Sequence, residues 1–111
     1  MDNHERTIAK NEAVFRGVNE IVEDTTTGAG LDEIIFVCEC GDEHCAQDVR
    51  LRLHEYERVR AVATHFFVCP GHYTPGVESI VEQHSRYWIV AKHPGEGAKI
   101  AETTDPRAEE D

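Results

Sequence analysis

The chain has 111 residues, 40% apolar and 7% aromatic, which allows one small hydrophobic core and little more. Eleven basic against twenty-two acidic side chains give a formal net charge of −11, a field that repels phosphate backbones and argues against nucleic acid as a direct partner. No stretch approaches the ~20 apolar residues of a membrane span, and the polar start MDNHERTIAKNEAVFRG lacks a signal-peptide core, so the expectation is a cytoplasmic protein with no membrane contact.

In chain order, residues 5–23 have the period of an amphipathic helix. Ile8, Phe15, Val18 and Val22 make its expected core face, with Val14 and Ile21 flanking it and Glu12 and Arg16 spaced for an i,i+4 ion pair. DTTTGAG, residues 24–30, ends the helix as a loop. LDEIIFVCEC is an apolar run of strand length, and QDVRLRL alternates Val49, Leu51 and Leu53 against Arg50 and Arg52. Together they predict a β-hairpin whose tip is CGDEHC, with Gly41 available for a positive-φ reversal.

Residues 54–65 predict a second helix with Tyr56, Val59 and Ala63 towards the core, and with Arg58 and Arg60 in solvated salt bridges. FFVC is a short extended piece, and Pro70 biases Cys69 away from helix. PGHYTPG is a turn-rich loop. VESIVEQHSRYWIVAKH, rich in β-branched and aromatic residues, predicts a second hairpin around QHS, with a helix over 77–84 as the alternative. Adjacent Tyr87 and Trp88 should then face opposite sides, one of them entering the core. The expected fold is α+β: an N-terminal helix, a metal-bearing hairpin, a second helix and a small antiparallel sheet over residues 1–95. Residues 96–111, charged and short of large apolar side chains, are expected to be a mobile acidic tail.

The chemistry is concentrated in the cysteines. Cys38 and Cys40 are two apart on a predicted strand, so both sulfurs leave one face and can converge on one point. Cys45 returns after a four-residue turn, giving C-x-C-x4-C. In a reducing compartment such a cluster points to a metal, and Zn2+ takes four tetrahedral cysteine and histidine ligands, usually gathered from two loops. The second loop offers His72, ranked first, and Cys69, ranked second. His44 is a distant third, because loop neighbours such as His44 and Cys45 seldom aim at one centre.

Reduced core cysteines would explain a lone Cys69 on an apolar strand. They explain the other three poorly, since these sit in a polar, acidic, glycine-containing turn. A reactive thiol needs a nearby positive charge, whereas Glu39, Asp42 and Glu43 are negative; a divalent cation reverses that logic by deprotonating its thiol ligands. A catalytic zinc near Glu39, Glu43 or Glu78 is disfavoured, because three thiolates leave little Lewis acidity and no H-E-x-x-H, H-x-x-E-H or deaminase pattern occurs. His4, His54, His65, His84 and His93 show no ligand spacing relative to one another.

VNEIV, FVCECGDEHC, LHEYERVR, HFFVCPGH, IVEQHSRYWIVAK and TDPR together resemble a group of small bacterial proteins. The shared pattern is N-E-x-[IV], F-x-C-E-C-x4-C, E-Y-x-x-V-R, P-G-H and a C-terminal D-P-R, covering Asn19 to Arg107. The resemblance implies that Cys38, Cys40, Cys45 and His72 belong together, with Cys69 outside the pattern and Tyr73 standing where the pattern has an acidic residue. It supplies a site and no activity. The expected function is therefore a non-enzymatic zinc-stabilised module that binds another protein, one with a basic surface suiting the charge. A zinc or thiol redox sensor is the alternative, and a small metal-dependent hydrolase the third reading.

Overall fold

The computed structural model describes residues 3–45 and 47–107. Its elements are α1 (Asn3–Thr26), β1 (Ile34–Val37), β2 (Asp48–Leu51), α2 (Leu53–Arg60), β3 (His65–Val68), β4 (Glu78–Gln83), β5 (Trp88–Lys92) and α3 (Glu96–Thr103). This is an α+β arrangement with two small antiparallel sheets, β1-β2 and β3-β5-β4. Both expected hairpins form. In the first, Ile34 opposes Leu51 and Phe36 opposes Val49, so the inward residues of both strands meet on the core side while Ile35 and Arg50 face out. The second carries a register irregularity between Ile80 and Glu82.

The core lies where the two sheets and α2 meet. Phe36 stacks on Tyr56 with ring centroids 4.3 Å apart, and Phe67 meets both rings edge-on at 5.9 Å. Of the adjacent aromatic pair, Tyr87 is buried and Trp88 is half-buried against Tyr73. Helix α2 stops at Arg60 rather than running to 65, and its start is fixed by the Glu55 carboxylate accepting the Arg52 N–H at 2.8 Å.

Helix α1 departs from the expected face. It buries Ile8 and Ala9 together with Glu12, Arg16, Asn19 and Glu23, while Val14, Val18 and Ile21 stand in solvent. The physical reason is unmet polar demand on the surfaces α1 covers. Asn19 accepts the Val37 N–H and donates to the Val37 carbonyl, both at 2.9 Å, satisfying backbone groups on the edge of β1 turned away from β2. Arg16 donates to the carbonyls of Ala63 and Ala101, each at 2.7 Å, and lies over the Phe66 ring. Instead of pairing with Arg16, Glu12 faces Lys92, whose Nζ is 2.8 Å from its Oε1 without hydrogen-bond alignment; the same Nζ donates to Glu78.

The C-terminal segment also differs from expectation. Residues 96–103 form α3, which buries Ala98 and Ala101 and packs on α1. Beyond it, Arg107 is clamped by Glu20, Glu23 and Glu57 at 2.9–3.1 Å. Small side chains permit the close helix approach and one arginine ties down the end, so little apolar bulk is needed. Residues 108–111 of the expected tail lie outside the described residues.

Candidate metal centre

Strand β1 ends at Val37, just short of the two cysteines expected on it, and the chain bends at Cys40. Cys38 and Cys40 project to one side, and Glu39 projects to the other, into the protein. The Cys38 N–H donates to the Gln47 carbonyl at 2.9 Å, holding the two arms of the hairpin together beyond its ladder. Asp42 then folds the tip: its carbonyl accepts the Cys45 N–H at 3.0 Å and its carboxylate accepts the His44 N–H at 2.9 Å, returning Cys45 towards the first two thiols. Gly41 does not take the expected positive φ. Its requirement is steric, because the Ile8 side chain of α1 fills the space a Cβ would occupy.

The second arm comes from the loop between β3 and β4. Gly71, at φ +86°, turns the chain, and the His72 N–H closes that turn on the Cys69 carbonyl at 2.9 Å. His72 Nδ1 is thereby set 3.7 Å from both Cys38 Sγ and Cys45 Sγ. The donor atoms of Cys38, Cys40, Cys45 and His72 all lie within 4.8 Å of one another, so the cluster could hold a metal ion. A tetrahedral Zn2+ site with Zn–S near 2.3 Å and Zn–N near 2.05 Å has ligand–ligand edges of about 3.6–3.8 Å, and the two His72–thiol distances match them. Cys38 and Cys40 are buried, and Cys45 and His72 are half-buried.

Neither alternative fourth ligand joins this group. The His44 ring is exposed beside Glu43, and the Cys69 sulfur turns to Gln47 Oε1 at 3.7 Å. Cys69 contributes through its backbone, donating an N–H to Cys38 Sγ at 3.2 Å, a contact that supports a thiolate and orients it. Two of the thiols, Cys40 and Cys45, resist ionisation. The hydrogen bond with Cys38, then burial, pushes the Cys40 pKa up, and burial pushes Cys45 up. A divalent cation inverts this balance.

The carboxylates considered for catalysis are occupied elsewhere. Glu78 accepts the Thr74 N–H at 2.9 Å and faces Lys92, while Glu43 lies out in solvent with His44. Glu39 is fully buried. Arg60 grips both its oxygens at 2.8 and 3.0 Å, and Asn19 Nδ2 and the Phe67 N–H complete its shell at 2.8 and 3.3 Å. Arg60, expected in solvent, is therefore a core residue; Arg58 is the exposed member, paired with Glu82. The Glu39 hub is what the sequence reading missed, although the strand alternation that aims the two sulfurs outward already requires position 39 to point in.

Compared with known protein families, curated proteins and solved structures, the chain finds no match.

Proposed function

We propose that the chain is a cytoplasmic, non-enzymatic protein-interaction module whose fold is held by one Zn2+ on Cys38, Cys40, Cys45 and His72. The observation that carries the structural role is where the cluster lies. Three donors sit at the tip of the β1-β2 sheet and the fourth in the loop leaving β3, so a bound ion bridges the two sheets. Between those edges the Glu39 N–H donates to the Phe67 carbonyl at 3.0 Å, and the N–H groups of Phe67 and Cys69 donate to the side chains of Glu39 and Cys38. Three thiolates and an imidazole suit zinc over harder or square-planar metals. Four protein donors leave no position for a substrate, which supports a structural ion over a hydrolytic one. Support for an interaction role comes from small size, strong negative charge and aliphatic side chains left in solvent.

Elemental analysis of freshly purified, reduced protein should give one zinc per chain. Cys38→Ser should lose it and with it cooperative unfolding, because ligand binding and folding are one equilibrium in small metal-stapled domains. A metal-free preparation with a cooperative thermal transition refutes the reading. The second reading, a peroxide-responsive thiol site, is favoured by a fourth cysteine whose N–H touches a ligand sulfur. Mild peroxide should then eject zinc and leave a mappable disulfide; retention of both metal and thiols dismisses it.

A further inference from the structure

We propose that the outer face of α1 is a homodimer interface, two copies crossing antiparallel about Gly17 and Val18. The inference rests on the reading of the chain as an interaction module and names its partner as a second copy of itself. Helix α1 buries Glu12, Arg16, Asn19 and Glu23 beside Ile8 and Ala9, and leaves Val14, Val18 and Ile21 on its solvent face, exposed by 60, 40 and 64%. These three follow helical spacing along a single stripe. Gly17 lies beside them in mid-helix, and beyond its neighbours and the helix's own backbone no atom of the described residues comes within 4 Å of where its Cβ would be. The fold of one copy therefore has no use for a residue that weakens its helix, whereas a close crossing of two helices does.

The stripe is also complementary to itself when reversed. Laid antiparallel across the Gly17–Val18 point, Val14 of one copy meets Ile21 of the other, and Val18 meets the gap above Gly17. Lys10 of one copy falls beside Asp24 of the other. Both charges are exposed, and neither is ion-paired within the chain among the described residues. Asp24 lies in the last turn of α1, where a cation is favoured. An antiparallel second copy places each against the opposite charge, twice by symmetry. A 24-residue helix presents a stripe about 36 Å long. Its apolar part, from Val14 to Ile21, is about 10 Å long, so the contact falls below the roughly 1,200–2,000 Å² of standard specific interfaces, in the class of transient encounters, and the dimer should be reversible and micromolar.

Sedimentation velocity on the zinc-loaded full chain across the micromolar range tests this. The expected result is a concentration-dependent rise from the mass of one chain towards two. Gly17→Leu has room within its own chain and a better helix former, so it should raise the melting temperature of the monomer and abolish the dimer. Lys10→Asp should weaken dimerisation about tenfold, because symmetry counts the lost pair twice, and adding Asp24→Lys should restore it. Wild-type protein that keeps its zinc and the mass of one chain throughout overturns self-association, yet leaves the module reading standing if the α1 face captures a different protein. A dimer indifferent to Gly17→Leu, Lys10→Asp and the double swap equally overturns it, by locating the interface elsewhere. Gly17→Leu decides even if a charged variant folds poorly, and circular dichroism with zinc content establishes the fold of each.

Discussion

Glu39 shows how much one side chain can organise here. Its carboxylate and the Arg60 guanidinium are both shut away from water, and each is fully hydrogen-bonded only while the other is present. Removing one partner of such a pair typically costs about 3–5 kcal/mol, because a buried charge is stranded. Glu39→Ala should therefore lower urea-unfolding stability by that order, while a Glu39→Leu, Arg60→Met double variant should lose much less than the sum of the singles. Glu12 makes a different prediction. Burial, then the nearby Glu78 carboxylate, pushes its pKa from 4.5 up to about 9 against the opposing pull of Lys92. The folded chain thus holds a proton that the unfolded chain releases, and stability falls as pH rises from 4.5 towards 9. Glu12→Gln keeps the shape without the titration, so its stability curve should be flatter than wild type over that window; a parallel curve would contradict the assignment. Glu57 and Glu82 act at the other end. Held near 2 by Arg107 and Arg58, they add stability that is complete above 4.5 and lost as pH falls through 2.

At the scale of elements, the hairpins, α1 and the start of α2 were legible because they depend on local period and turn chemistry. VRLRL alternates, Gly71 and Pro70 punctuate, and β-branched residues crowd the strands that became β4 and β5. The face of α1 was not legible. Apolar spacing pointed Val14, Val18 and Ile21 inward or to the flank, yet Val37, Ala63 and Ala101 present backbone groups that only polar side chains can satisfy. Those groups are brought to α1 by the rest of the fold, so no window on α1 contains the information. Asn19→Ala should strand the Val37 N–H and carbonyl and lower stability by about 1–3 kcal/mol, measurable by denaturant titration. The docking of α3 was equally hidden, because it uses alanines and the distant Arg107. Arg107→Ala should release the C-terminal end with a loss on the order of 1 kcal/mol, seen as faster amide exchange confined to residues 96–107.

For the molecule as a whole, two short sheets share one core, and the two-stranded β1-β2 sheet is too small to be stable alone. The candidate metal group was readable in sequence, since C-x-C at a strand end and a rigid P-G-H turn each fix their donors locally. What the sequence concealed was the set of buried ion pairs behind it, whose partners are separated by tens of residues. With a chelator at neutral pH, the whole chain should lose near-UV signal in a single step that zinc reverses, rather than shedding the β1-β2 hairpin first. Two resolved transitions would mean that the sheets hold independently.

The triplet at 38 to 40 has one more implication, for how this chain can drift over time. Sulfur, carboxylate and sulfur leave a single backbone trace on alternating sides, so the donor cluster and the core charge balance are geared together. Deleting or inserting one residue anywhere between Ile34 and Cys38 would turn the carboxylate towards the candidate metal centre and drive both thiols towards Arg60. Such a lineage would forfeit the gathered thiols and the interior salt link in one stroke, so length should be frozen through this stretch even where side-chain identity wanders.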